Sequence, residues 1–237
     1  MIPNNTPYYL ESILDRLDAI LGSETDAVYL PSPFSLDSMD YSHTYVTKII
    51  CMAISLPYPA LSIDSSYKQY QIYKALLSEI SSILNENNRI LDVDFSSSNK
   101  ILVLMQLPEG QYDGIIDLSA KISSVIRIVD RRARSKGFLP FNVVIGIDAG
   151  NSYVTHETIE PSLNRELLWM GKTQIEAVRL ASLLQLGDIP IIISERVFNN
   201  LSAKYKSFFT RDNLNDIYVS SLRNNAVAAW MEQNLQK

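Results

Sequence analysis

Apolar residues recur along the chain at two spacings, three-to-four and two, and the spacing changes from segment to segment. Leu10, Ile13, Leu14, Leu17, Ile20 and Leu21 share one stripe of a helix over Pro7–Gly22, with Gly22 placed to cap it. That helix packs on the body of the protein or pairs with a partner chain. Tyr67, Tyr70, Ile72, Tyr73, Leu76, Leu77, Ile80 and Leu84 predict a long amphipathic helix over Asp64–Asn85. Ile115, Ile116, Leu118, Ile122, Val125, Ile126 and Val129 predict a second over Asp113–Arg134, ended by Gly137 and Pro140. Tyr45–Ile54 is dense in β-formers and stops before Pro57-Tyr58-Pro59, which predicts a central strand. Arg89–Phe95 and Lys100–Gln106 read as a hairpin joined by Ser96-Ser97-Ser98-Asn99. Phe141–Ile147 predicts a strand, Asp148-Ala149-Gly150-Asn151 a turn, and Ser152–Thr155 its returning partner. Ile189–Ser194 predicts a buried strand, followed by a short helix from Ser194 and Glu195 through Leu201. Ile217–Leu222 reads as an edge strand and Asn224–Leu235, with Trp230, as a terminal helix.

This order of elements predicts an α+β fold of ferredoxin-like, palm type, with helices on one face of a mostly antiparallel sheet. The expected division is residues 1–43 as a helix and polar linker, 44–222 as the main domain, and 223–237 as a C-terminal helix.

Composition narrows the functions. At 237 residues, 46% apolar and 20% charged, the chain has enough material for a sizeable core. A net charge of -5 argues against nucleic acid or an anionic membrane as partner. The cluster Arg131, Arg132, Arg134 and Lys136 falls where cations favour the end of a helix. A single cysteine, Cys51, excludes an internal disulfide and fits a reducing cytoplasm. No apolar run approaches the ~20 residues of a membrane span, and the N-terminus lacks the regions of a signal peptide. His43 and His156 stand far apart in sequence, which argues against a His/Cys metal site.

The most distinctive chemistry lies in Leu167–Leu184. Leu167-Leu168-Trp169-Met170 is a short apolar run, Gly171 punctuates it, and Lys172 opens a helix expected to be largely buried. Arg179 on that helix must find an anion or lie at a cleft. Glu176 can pair with Lys172 or with Arg179, at i,i+4 or i,i+3. Asp92 and Asp94 alternate with Leu91, Val93 and Phe95, so they form a solvated strand face or a metal site.

Gly171-Lys172-Thr173-x-x-x-Ala177-x-Arg179 resembles the helix of class III nucleotidyl cyclases that carries the transition-state residues. Trp169-Met170-Gly171 with Glu176-Ala177 is similar to the bacterial pyrimidine (uridylate and cytidylate) cyclases of the Pycsar anti-phage systems. Leu14-Asp15-Arg16-Leu17-Asp18-x-Ile20-Leu21 resembles the helix before their catalytic domain. Ile145-Gly146-Ile147-Asp148-Ala149-Gly150 resembles their glycine-rich hairpin, and Ile191–Val197 with Leu201 their isoleucine-serine strand.

The resemblance implies a palm-type cyclase fold and a reaction in which two aspartates hold two metal ions at the triphosphate. It places those aspartates at Ala53, within Cys51-Met52-Ala53-Ile54, and at Asn99. Neither side chain can bridge metals. The transition-state asparagine position is Ile175, and Arg179 alone keeps the family's residue. Pro161-Ser162-Leu163 stands in a loop that carries glycines in the family. The expectation is a degenerate, cytoplasmic cyclase homologue that acts as a binding, sensing or partner subunit, with Lys172 and Arg179 as nucleotide-binding residues. The resemblance implies a homodimer, or a heterodimer with an intact cyclase, and no cofactor. The alternative is an active cyclase using magnesium or manganese at an unusual metal site, with Asp92, Asp94 or Asp148 as its ligands.

Overall fold

The computed structural model describes residues 14, 15, 17, 18, 21, 22, 27–40, 43–56, 63–95, 99–106, 108, 110–138, 140–157, 166–183 and 190–234. For residues 63–66, 68, 69, 231, 232 and 234 it describes the backbone alone. Ser98, the loop Pro161-Ser162-Leu163, Leu184, and most of the expected Pro7–Gly22 helix lie outside the described residues.

The sheet is built around β2 (Tyr45–Ser55), whose β-branched residues favour an extended backbone. It pairs in parallel with β1 (Val28–Leu30), and antiparallel with β4 (Lys100–Met105) and β5 (Ile145–Glu157). β3 (Ile90–Asp94) pairs with β4, and β6 (Glu166–Met170) with β5. Beyond β5 the sheet continues through β7 (Ile191–Ile193) and β9 (Ile217–Ser220) to β8 (Thr210–Asp212). The nine strands of the described residues run in the order β3-β4-β2-β5-β7-β9-β8, with β1 and β6 beside β2 and β5. Among the described residues, only the β1–β2 and β5–β7 pairs are parallel.

Alternation along β2 divides the core. Ile50, Met52 and Ile54 face α1 (Ile63–Asn85) and α2 (Asp113–Ser135), where they meet Leu76, Ile80, Ile116 and Ile122. Ile49, Cys51 and Ala53 face the other way and meet Ala177 and Ala181 of α3 (Lys172–Ala181). Thus the two long helices share one face as expected, and the shorter α3 covers part of the opposite face. Burial on both sides explains why β2 reads as a nearly continuous apolar run. Short helices α4 (Glu195–Asn199) and α5 (Ala203–Lys206) follow β7, and α6 (Asn225–Asn234) closes the described chain.

Two expectations fail here. Asp148–Asn151 is not a turn: β5 passes straight through it, and its hairpin partner is β6. Residues 148–151 pair with Cys51–Lys48 of β2, and this long ladder overrides the local Asp-Ala-Gly-Asn preference. Ile217–Ser220 is not an edge strand, because β8 lies outside it. β8, like β1 in the polar segment before residue 43, has three residues, too few for a readable alternation.

Candidate functional site

Ala53 sits at the centre of the face beneath α3. It is 0% exposed, pairs with Leu102 and Gly146, and packs among Ile49, Cys51, Leu104, Ala177 and Ala181. Asn99 precedes β4, and its carbonyl accepts a hydrogen bond from the Leu56 amide at 2.7 Å. β2 and β4 therefore bring the two expected aspartate positions to the same end of their ladder. Neither supplies a carboxylate.

A carboxylate does occur nearby. Asp148 lies on β5 directly opposite Cys51 and is fully buried. It accepts hydrogen bonds from Ser194 Oγ at 2.5 Å and from an Arg196 terminal nitrogen at 2.5 Å. Burial pushes its pKa upward, against the pull of Ser194, the Ala149 amide and Arg196. Ser194 also caps α4 by accepting from the Val197 amide, so one hydroxyl orients both the helix and the acid. Gly150 makes room for this group: a Cβ there would stand 2.7 Å from Thr173 Oγ1 and 3.2 Å from Arg196. Burial, and then the charge of Asp148, push the Cys51 thiol up to about 12.

The helix above is less buried than expected. Thr173, Gln174, Ala177, Leu180 and Ala181 face the sheet, while Ile175 is 70% exposed. Arg179 is half-exposed and grips Glu176 with two nitrogens, at 2.8 and 2.7 Å. Of the two partners open to Glu176, the structure selects Arg179. Lys172 instead lines an open cleft of about 470 Å³ with Ile175, Glu176, Ser194, Glu195, Arg196 and Asp216. Glu176 is engaged by Arg179, and Asp216 by Arg211 at 2.7 Å. Lys172 shares this cleft with Arg196, and Arg179, two turns along the same helix, reaches its edge only through Glu176.

Sequence reasoning missed Arg196. Its partner lies forty-eight positions away and was expected in a turn, so no local spacing links them. Asp92 also differs from its expected solvated setting. Its carboxylate accepts from Trp169 Nε1 at 3.0 Å and from the Val93 amide at 2.8 Å. A register shift between Ile90 and Asp92 places it across from Leu104 on the α3 side. Asp94 is half-buried on the same strand.

The two-metal chemistry implied by the resemblance does not fit this donor set. Ala53 has no donor atom, Asn99 is neutral, and Asp148 is already held by a guanidinium and a hydroxyl. Among the described residues, no group of three or more His, Cys, Asp or Glu could hold a metal ion. No described helix is long and apolar enough to cross a membrane.

No family model matches the chain. It is 18% identical over 235 residues to a uridylate cyclase of Treponema porcinum, covering 96% of this chain and 82% of that protein. Its structure is similar to a class III adenylyl cyclase-like ATP-binding protein from Pseudomonas aeruginosa, with a TM-score of 0.68 at 15% identity. That match covers 92% of this chain and 49% of the other, so this chain spans about half the length of the Pseudomonas protein. The guanylyl cyclase Cya2 matches with a TM-score of 0.58 at 13% identity, over 76% of this chain and 94% of that one. The fold is therefore that of the class III nucleotidyl cyclases.

Proposed function

We propose that this chain is a cyclase-fold protein without the family's metal-dependent cyclisation, acting as a partner or binding subunit. The observation that carries this reading is Ala53. The position expected to hold a metal-binding carboxylate is a methyl group sealed beneath Ala177 and Ala181. The buried acid Asp148 is paired with Arg196. Arg179 keeps the family's residue, but its fork is occupied by Glu176. An arginine of this kind typically contributes ~10²–10³ in rate as one of several charge-stabilising groups, and the others are missing.

The surface suits a partner. Tyr153 and Met170 face each other across the β5–β6 hairpin, with Leu168 two positions along, and all three expose much of their apolar surface. Ile175 adds to the apolar surface at the start of α3. The distant likeness to a uridylate cyclase supports a place beside an intact cyclase in cyclic-nucleotide signalling, and the Pycsar resemblance of Trp169-Met170-Gly171 with Glu176-Ala177 adds the anti-phage setting.

The test is cyclic-nucleotide formation from UTP, CTP, ATP and GTP with magnesium or manganese. The expected outcome is no product from the purified chain. A product signal lost in Arg179→Ala would overturn the reading.

A second reading, nucleotide binding without turnover, is favoured by the cleft between Lys172 and Arg196 and by the ATP-binding description of the Pseudomonas protein. Titration calorimetry with ATP and UTP checks it. Binding should weaken about tenfold in Lys172→Ala, the loss of one phosphate-facing cation. No binding by the intact chain at millimolar nucleotide removes this reading and leaves the partner role.

A further inference from the structure

The basic cluster at the end of α2 takes no part in the site described above, and the structure sorts its members. Arg134 is held by Asp130 at 2.8 Å, whereas among the described residues neither Arg132 nor Lys136 has a side-chain partner. Both line an open trough of about 440 Å³ on the outer side of the two long helices. Its floor is apolar, with Ile72 and Ala75 of α1, Ile128 and Val129 of α2, and Phe138. The dipole of α2 favours cations at its end. It does not require two of them four positions apart on one face, where like charges repel.

Two features shape the trough. Ile128 is not among the buried residues of α2 and stands half-buried on its outer side. Gly137, at φ +79°, turns the chain back after the helix, and the Phe138 amide donates to the Ala133 carbonyl at 3.1 Å. That return brings Phe138 to one end of the trough, beside the two cations.

The charges are separated along the trough. Glu86 meets Lys121 at 2.6 Å, and Ile72 shares the trough with Lys136, so the two helices run antiparallel. Glu79, the acid of the lining, lies seven positions before Glu86 and is therefore level with Ile128, seven positions after Lys121. Arg132 and Lys136 follow four and eight positions further on, about 6 and 12 Å along the axis at roughly 1.5 Å per residue.

We propose that the trough binds a free medium-chain fatty carboxylate, with its carboxylate between Arg132 and Lys136 and its chain along Ile72, Ile128 and Val129. The volume falls in the range of roughly 300–1,000 Å³ in which pockets enclose small ligands, with an apolar lining and a few polar groups that fix orientation. A partner helix is about 10–12 Å across and could lay only side chains into this space. One carboxylate satisfies both cations at once, through charge-assisted hydrogen bonds. An amine-headed amphiphile would need its head at Glu79, level with the middle of the floor, and would leave both cations without a partner. The trough lies on the helical side of the sheet, opposite α3 and its cleft, so it is independent of the function proposed above.

The test is calorimetric titration of the full-length chain with sodium decanoate, below the concentration at which it forms micelles. The expected result is saturable binding, at least about tenfold tighter than that of decyltrimethylammonium, which has the same chain and the opposite charge. Arg132→Gln/Lys136→Gln should weaken decanoate about tenfold or more, for the loss of two charge-assisted contacts, while its circular dichroism and urea midpoint stay those of the parent. A decanoate analogue with a photoreactive diazirine on its chain should attach to peptides spanning 71–79 or 125–138. The comparison of amphiphiles and the labelling use the parent chain, so they stand whatever the fold of the variant. Four outcomes overturn the proposal: no heat at millimolar decanoate, equal binding of the two amphiphiles, attachment outside those peptides, or a folded double variant that binds decanoate as the parent does.

Discussion

Arg179 and Arg196 carry the same charge on the helices before and after β7, yet only one was legible in the sequence. Arg179 and Glu176 lie three positions apart on one helix, a local relation that spacing reveals. Arg196 meets Asp148 only because β7 pairs with β5, a relation that exists in the folded sheet and nowhere in the spacing. The local pair makes a pH prediction. Hydrogen bonding from Arg179, opposed by burial and assisted by its charge, holds the Glu176 carboxyl below its ordinary range. A depressed carboxyl contributes stability above its unfolded pKa and loses it as pH falls through the folded one. Glu176→Gln should therefore be less stable than the parent near neutral pH, by ~0.3–0.5 kcal/mol for a partly exposed pair. The gap should close on acidification and shrink at high salt. Urea melts of both chains across that range check it; a gap that persists at acid pH would mean packing, not charge, is at work.

At the level of elements, the long helices and β2 were legible because each repeats its period over many residues. β5 was not. Its Asp-Ala-Gly-Asn run carries a turn signal, and only the ten-residue ladder with β2 reveals a straight strand. Gly146 shows what that strand supports. A Cβ at this position would collide with the Ala177 carbonyl and the Ala181 amide, so α3 lies directly on the backbone of β5. The obstacle is helix backbone, which cannot swing aside as a side chain does. Gly146→Ala should therefore lift α3 from the sheet and cost about 1–3 kcal/mol or more, as overpacking does. Urea unfolding should show a lower midpoint with little change in slope. An unchanged midpoint would show that α3 rides higher on the sheet than the Gly146 contacts require.

Across the whole molecule, the elements were readable in order, but the pairing of distant strands was not, and that pairing decides where the chemistry sits. It buries Ala53, neutralises Asp148, and leaves the β5–β6 hairpin standing clear of the two long helices with Tyr153, Leu168 and Met170 in water. An exposed apolar surface of this kind marks an interaction site. A partner seated there should bury about 1,000 Å² or more in total. Sedimentation at micromolar concentration should show species heavier than the 26.8 kDa monomer, alone or with an intact uridylate-type cyclase. Adding Tyr153→Asp and Met170→Asp should return it to 26.8 kDa, because two buried carboxylates without partners cannot be accommodated in an apolar contact. If the parent chain sediments only as 26.8 kDa in both settings, the hairpin surface has no partner of this fold.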